Sequence, residues 1–133
     1  MDNMVEVKTS ELDGAALDWA VAKSCFEVWF NTDGEFGQAT GWLVKKTIGR
    51  DSVNYPIRDF KPSVDWAVGG PLIERMELEI KPTVSNDVQK KWMAAVYEAS
   101  LHVASTPLVA AMRALVEKDN RYGTVSVPKE LVS

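Results

Sequence analysis

The stretch Trp92-Met93-Ala94-Ala95-Val96-Tyr97-Glu98-Ala99-Ser100-Leu101-His102-Val103-Ala104-Ser105-Thr106-Pro107-Leu108-Val109-Ala110-Ala111-Met112-Arg113-Ala114-Leu115-Val116 decides the fold. Its first part reads as a β-hairpin, with strands over 92–97 and 101–104 joined through Glu98-Ala99-Ser100. Ser105-Thr106-Pro107 then starts a helix: a hydroxyl accepts from an orphan N–H, and proline loses nothing where its N–H would be unpaired. The spacing predicts a helix over 107–119. Leu108, Ala111, Met112 and Leu115 make its core stripe, flanked by Val109 and Val116. Arg113 and Glu117 lie opposite and are spaced to pair. Asn120 to Gly123 closes the helix, and Thr124-Val125-Ser126-Val127 is a last strand before Pro128. This order is that of an α+β fold, helices packed on one face of a mainly antiparallel sheet.

Working outward, Val5-Glu6-Val7 alternates and reads as a short strand. Thr9 and Ser10 follow as N-cap candidates, with Glu11 and Asp13 suited to a positive helix end. The second main helix is predicted over about 10–23. Leu12, Ala15, Ala16 and Trp19 share one of its faces, while Leu17 and Val21 form a ridge roughly opposite. So wide an apolar surface calls for burial on two sides, against the sheet and against a partner or ligand. Gly14 inside this helix serves close packing or leaves room for a ligand. Cys25 to Phe30 is rich in aromatic and branched residues and reads as a strand, ended by Asn31-Thr32-Asp33-Gly34. Trp42-Leu43-Val44 is a further strand. From about 45 to 71 the chain reads as irregular, punctuated by Pro56, Pro62, Gly69, Gly70 and Pro71, and a loop of that length is usually functional. It carries Tyr55, Arg58, Phe60 and Trp66. Pro71 is suited to the first position of a short helix, and Leu78-Glu79-Ile80 to a strand. The whole chain, 1–133, is expected to form a single domain.

The composition sets limits. The chain has 133 residues, 46% hydrophobic and 26% charged, ordinary values for a globular protein with one core. No run approaches the roughly 18 apolar residues of a membrane span, and Met1-Asp2-Asn3-Met4 has no secretory character. The single cysteine, Cys25, fits a reducing compartment. A net charge of −4 argues against a nucleic-acid backbone binder. The single histidine, His102, lies in a strand, where a structural role is expected. One His and one Cys make no metal set, and no phosphate loop or GxGxxG is present. No catalytic residue, metal site or cofactor is predicted. The five tryptophans say more. Trp42 and Trp66 fall beside loops, where aromatics near Arg and Lys form stacking platforms for planar ligands.

Three segments carry a family resemblance. Val7-Lys8-Thr9-Ser10-Glu11-Leu12, continuing through Gly14 and Ala16-Leu17-Asp18-Trp19-Ala20-Val21-Ala22, is the first. Ser63-Val64-Asp65-Trp66-Ala67-Val68-Gly69-Gly70-Pro71-Leu72-Ile73-Glu74-Arg75 is the second. Thr106-Pro107-Leu108-Val109-Ala110-Ala111-Met112-Arg113-Ala114-Leu115-Val116, with Val125, Val127-Pro128, Glu130 and Leu131, is the third. In this order they resemble the phage NinX-like family. The ending also looks like other small phage α/β sandwich domains. The resemblance implies an accessory protein of tailed phages and prophages in the bacterial host cytoplasm, and no particular reaction.

Two functions are expected from this reading. One is a non-catalytic module for a small anionic, nucleotide-like ligand, such as a sponge for a bacterial defence signal. The alternative is a protein-interaction factor that inhibits or adapts a host protein. Double-stranded RNA binding ranks third, because Ser105-Thr106-Pro107 stands where such a module needs lysines. The predicted ligand site draws on all three segments: Lys8 and Ser10; Trp66, Gly69, Gly70 and Arg75; Thr106 and Arg113. Trp66 would be the stacking wall and Arg75 the main charge partner, with the glycines letting backbone approach. A structural alternative has Asp18 or Asp65 pairing with Arg75. The two-sided N-terminal helix also predicts a homodimer.

Overall fold

The computed structural model describes residues 3–32, 40–96, 101–119 and 123–132. Among these, the strands are β1 (Met4–Lys8), β2 (Glu27–Asn31), β3 (Gly41–Ile48), β4 (Asp51–Pro56), β5 (Glu79–Pro82), β6 (Trp92–Ala95), β7 (His102–Ala104) and β8 (Thr124–Pro128). The helices are α1 (Gly14–Cys25), α2 (Trp66–Met76) and α3 (Pro107–Asp119). The fold is α+β and its sheets are antiparallel, but the sheet is divided: a β1–β8 ribbon, β2–β3–β4, and β5–β6–β7. The predicted hairpin is β6–β7, with Trp92 opposite Ala104 and Ala94 opposite His102. Its connection at 97–100 lies outside the described residues, as do Asp33, Gly34 and residues 120–122.

α3 begins where the sequence places it. Thr106 Oγ1 accepts from Val109 N at 3.2 Å, closing the first turn. Leu108, Ala111, Met112 and Leu115 are all buried, and so is Val116. α3 packs on the β5–β6–β7 sheet and against both other helices.

α1 is the central helix: every residue from 16 to 22 is buried. It meets α3, β2 and β8, so both apolar ridges are covered within one chain. That covering removes the ground on which a dimer was expected. The helix also starts later than the expected residue 10. Thr9 N–H donates to Gly123 O at 2.9 Å, which extends the tie between β1 and β8, and Thr9–Glu11 form a 3-10 turn. The chain enters α1 through Gly14 at φ +55°, with nothing within 4 Å of where a Cβ would stand. Gly14 is therefore a bend at the helix start and not a packing contact, and glycine takes that conformation cheaply.

The segment expected to be irregular is largely ordered structure. β3 runs on to Ile48 and pairs with β4, so Val44 faces Tyr55 and Lys46 faces Val53. α2 then occupies 66–76, with Gly69, Gly70 and Pro71 in its interior, the last also not at its first position. Two glycines and a proline cost such a helix about 1 and about 3 kcal/mol apiece relative to Ala. Capping and packing offset this. Asp65 Oδ1 accepts from Ala67 N at 3.0 Å. A Cβ on Gly69 would lie 2.5 Å from Pro62 O and 2.7 Å from Leu108 Cδ2. Only glycine lets α2 sit that close to α3. Glu77, at φ 54°, ends the helix in the left-handed conformation, and Leu78 N–H donates back to Ile73 O at 3.1 Å.

Candidate functional site

Between α2 and the β3–β4 hairpin lies a groove of about 420 Å3. Phe60, 1% exposed, follows the 3-10 turn Ile57–Asp59 and anchors the groove's aromatic lining in the core. Phe26 meets it edge to face, with centroids 5.7 Å apart and planes at 89°. Tyr55 leans on Phe60 at 6.3 Å and 39°. Strand alternation places Val44 and Lys46 on one face of β3, the face Tyr55 shares. The Lys46 ammonium stands 5.5 Å over the Phe26 ring, within cation–π range. Arg75, from the last turn of α2, is the second cation of the lining, and Asp59 supplies a carboxylate. Burial pushes the Tyr55 hydroxyl above its ordinary pKa, so it stays a neutral donor and acceptor near pH 7. Two half-buried rings, Phe26 and Tyr55, backed by Phe60, with two cations, suit a flat, negatively charged molecule.

The predicted site residues divide into those at this groove and those spent on the fold. Arg75 lines it. Trp66, 55% exposed, begins the helix that forms one side, but is not among the described lining residues. Gly69 is filled against Pro62 and Leu108, so its backbone is closed to a ligand; this corrects the role expected for it. Gly70 is half-buried inside α2, and a Cβ built on it would find Trp66 Cε3, at 4.0 Å, as its nearest neighbour.

Thr106 caps α3. Arg113 is held by the protein: its Nε donates to Leu12 O at 2.7 Å and an Nη to Val103 O at 2.9 Å. Burial pulls its pKa down, and nearby Asp13 opposes the shift. The expected Arg113–Glu117 pair does not form, because Glu117 Oε2 lies 3.1 Å from His102 Nε2 instead. Lys8 and Ser10 are exposed on β1 and the turn after it, and neither is among the groove's described lining residues. Asp65 caps α2 and Asp18 binds Ser63, so each has a structural partner other than Arg75.

Lys46, Phe26 and Asp59 were not singled out by sequence. The run from Gly41 to Ile48, three apolar residues followed by Lys45-Lys46-Thr47, has no alternation that would place Lys46; only the pairing of β3 with β4 does. Among the described residues, no group of three or more His, Cys, Asp or Glu is placed to hold a metal ion. No helix among them is long and apolar enough to cross a membrane.

The family model described as Bacteriophage P22, NinX matches residues 8–118, and the chain belongs to that family. No curated protein matches it significantly.

Proposed function

We propose that this phage-family protein binds a small anionic, nucleotide-like ligand, without catalysis, in the groove between α2 and the β3–β4 hairpin. The observation that carries the reading is the joining of Phe26, Tyr55 and Phe60 with Lys46 and Arg75 on a chain whose net charge is −4. A base stacks on an aromatic ring, and a phosphate takes the cations. In the host cytoplasm such a protein would sequester a nucleotide signal of bacterial defence. Calorimetric titration with AMP tests it, beside mass spectrometry of nucleotide released on denaturing the purified protein. Lys46→Ala and Arg75→Ala should each weaken AMP binding while melting like wild type, since both side chains are exposed. AMP and other nucleotides failing to bind the wild type would overturn the reading.

The alternative, a factor that inhibits or adapts a host protein, is favoured by one observation. Val64 and Trp66, 69% and 55% exposed, stand close together at the start of α2. Trp66→Ala separates the two, because in the nucleotide reading it leaves AMP affinity unchanged.

A further inference from the structure

The β2–β3–β4 sheet carries a second groove, of about 640 Å3, which the family motifs do not touch. Phe26 lines both grooves. The two therefore meet at the residue just before β2, where the Lys46 ammonium already stands over the ring.

The second groove has the same ingredients as the first. Its ring is Trp29, whose indole N–H donates to Asn54 Oδ1 at 3.0 Å. That bond fixes the ring and leaves the Asn54 amide N–H2 as a donor. Its cations are Lys23 and Lys45. Lys45 is the chain neighbour of Lys46 and alternates to the other face of β3. Its ion pair with Glu27 is long, 3.7 Å, and open to water, with the two side chains 40% and 72% exposed. Such a pair is weak and readily exchanged for a phosphate.

Resting on the nucleotide reading above, we infer that the ligand carries two nucleobases joined through phosphate, one base at Phe26 and Tyr55 and the other at Trp29. The linking phosphate passes Phe26, the residue common to both grooves, with Lys46 on one face of β3 and Lys45 on the other. Around the two grooves stand four cations and two carboxylates, a local positive excess on an acidic chain. That excess suits a short ligand with few charges rather than a long polyanion, which the rest of the surface repels.

The test uses the full chain with AMP and the linear dinucleotide pApA as probes. Two seats joined in one ligand make pApA bind tighter than AMP by about tenfold or more. Trp29→Ala and Lys45→Ala each bring pApA toward the affinity of AMP and leave AMP itself unchanged. The lysine variant, at a water-exposed ammonium, guards against misfolding of the tryptophan one. If AMP binds and pApA binds no tighter, or if neither variant changes the ratio, the second seat is wrong and the first groove stands. If neither probe binds, both readings fall. A longer oligo(dA) strand binding far tighter than pApA overturns the two-seat ligand in favour of a continuous strand.

Discussion

The carboxylate of Asp18 accepts a hydrogen bond from the backbone N–H of Ser63 at 2.9 Å, joining α1 to the turn that precedes α2. Both residues are buried, 5% and 2% exposed. This bond ties the first of the three family-like segments to the second by internal structure. Arg113 donating to Leu12 O links the third to the first, and Gly69 against Leu108 links the second to the third. Polar residues that looked available for a ligand are thus spent on holding the motifs together.

Asp18 gives the fold a pH dependence. Burial raises its pKa from 3.8 to about 6, against the opposing hydrogen bonds from Ser63 and the charge of Lys61. A folded pKa above the unfolded one means that protonation favours folding. The contribution is fully present below 3.8 and is lost as pH rises through about 6. Asp18→Asn keeps an acceptor for Ser63 and removes the titration. From pH 4 to pH 7, urea unfolding should show the Asn variant gaining on wild type by up to about 3 kcal/mol. Parallel stability profiles for the two proteins would contradict this.

Arg113→Ala should destabilise without touching the ligand. It removes two charge-assisted bonds and leaves the carbonyls of Leu12 and Val103 without those donors. The expected loss is about 2–5 kcal/mol by denaturant titration, with AMP affinity unchanged at a temperature where the variant is folded. A loss of AMP affinity in folded protein would return Arg113 to the site.

The adjacent glycines of α2 should respond in opposite directions. Gly69→Ala drives a Cβ into Pro62 O and Leu108, and a core overpacked in this way loses about 1–3 kcal/mol. Gly70→Ala meets only Trp66 at 4.0 Å, an ordinary contact, and should gain about 0.4–1 kcal/mol by raising helix propensity. Thermal melts of the two variants decide this, and equal shifts would show that α2 is not wedged against α3.

Leu115 is 0% exposed on α3. Leu115→Ala should cost about 2–5 kcal/mol, measured by chemical denaturation, through lost transfer energy and the cavity left behind. A cost below about 1 kcal/mol would mean that the core closes over the gap.

What the sequence determined by itself is the part governed by local chemistry. Ser105-Thr106-Pro107 announces α3 because a cap and a first-turn proline act on their own neighbours. The stripe from Leu108 to Leu115 has one face to bury, so its inward side is legible from period alone. Alternation likewise reveals β1, β5 and β8. What only the tertiary structure decided depends on contacts distant in sequence. α2 forms in spite of Gly69, Gly70 and Pro71 because Leu108 and Pro62 require a helix without a Cβ at Gly69. Leu12 and Val103 claim Arg113, while His102 takes the place beside Glu117 that helical spacing offered to Arg113. The groove itself is assembled from the residue before β2, from β3 and β4, and from α2. Its chemistry arises from pairing register and helix packing, which no local pattern encodes.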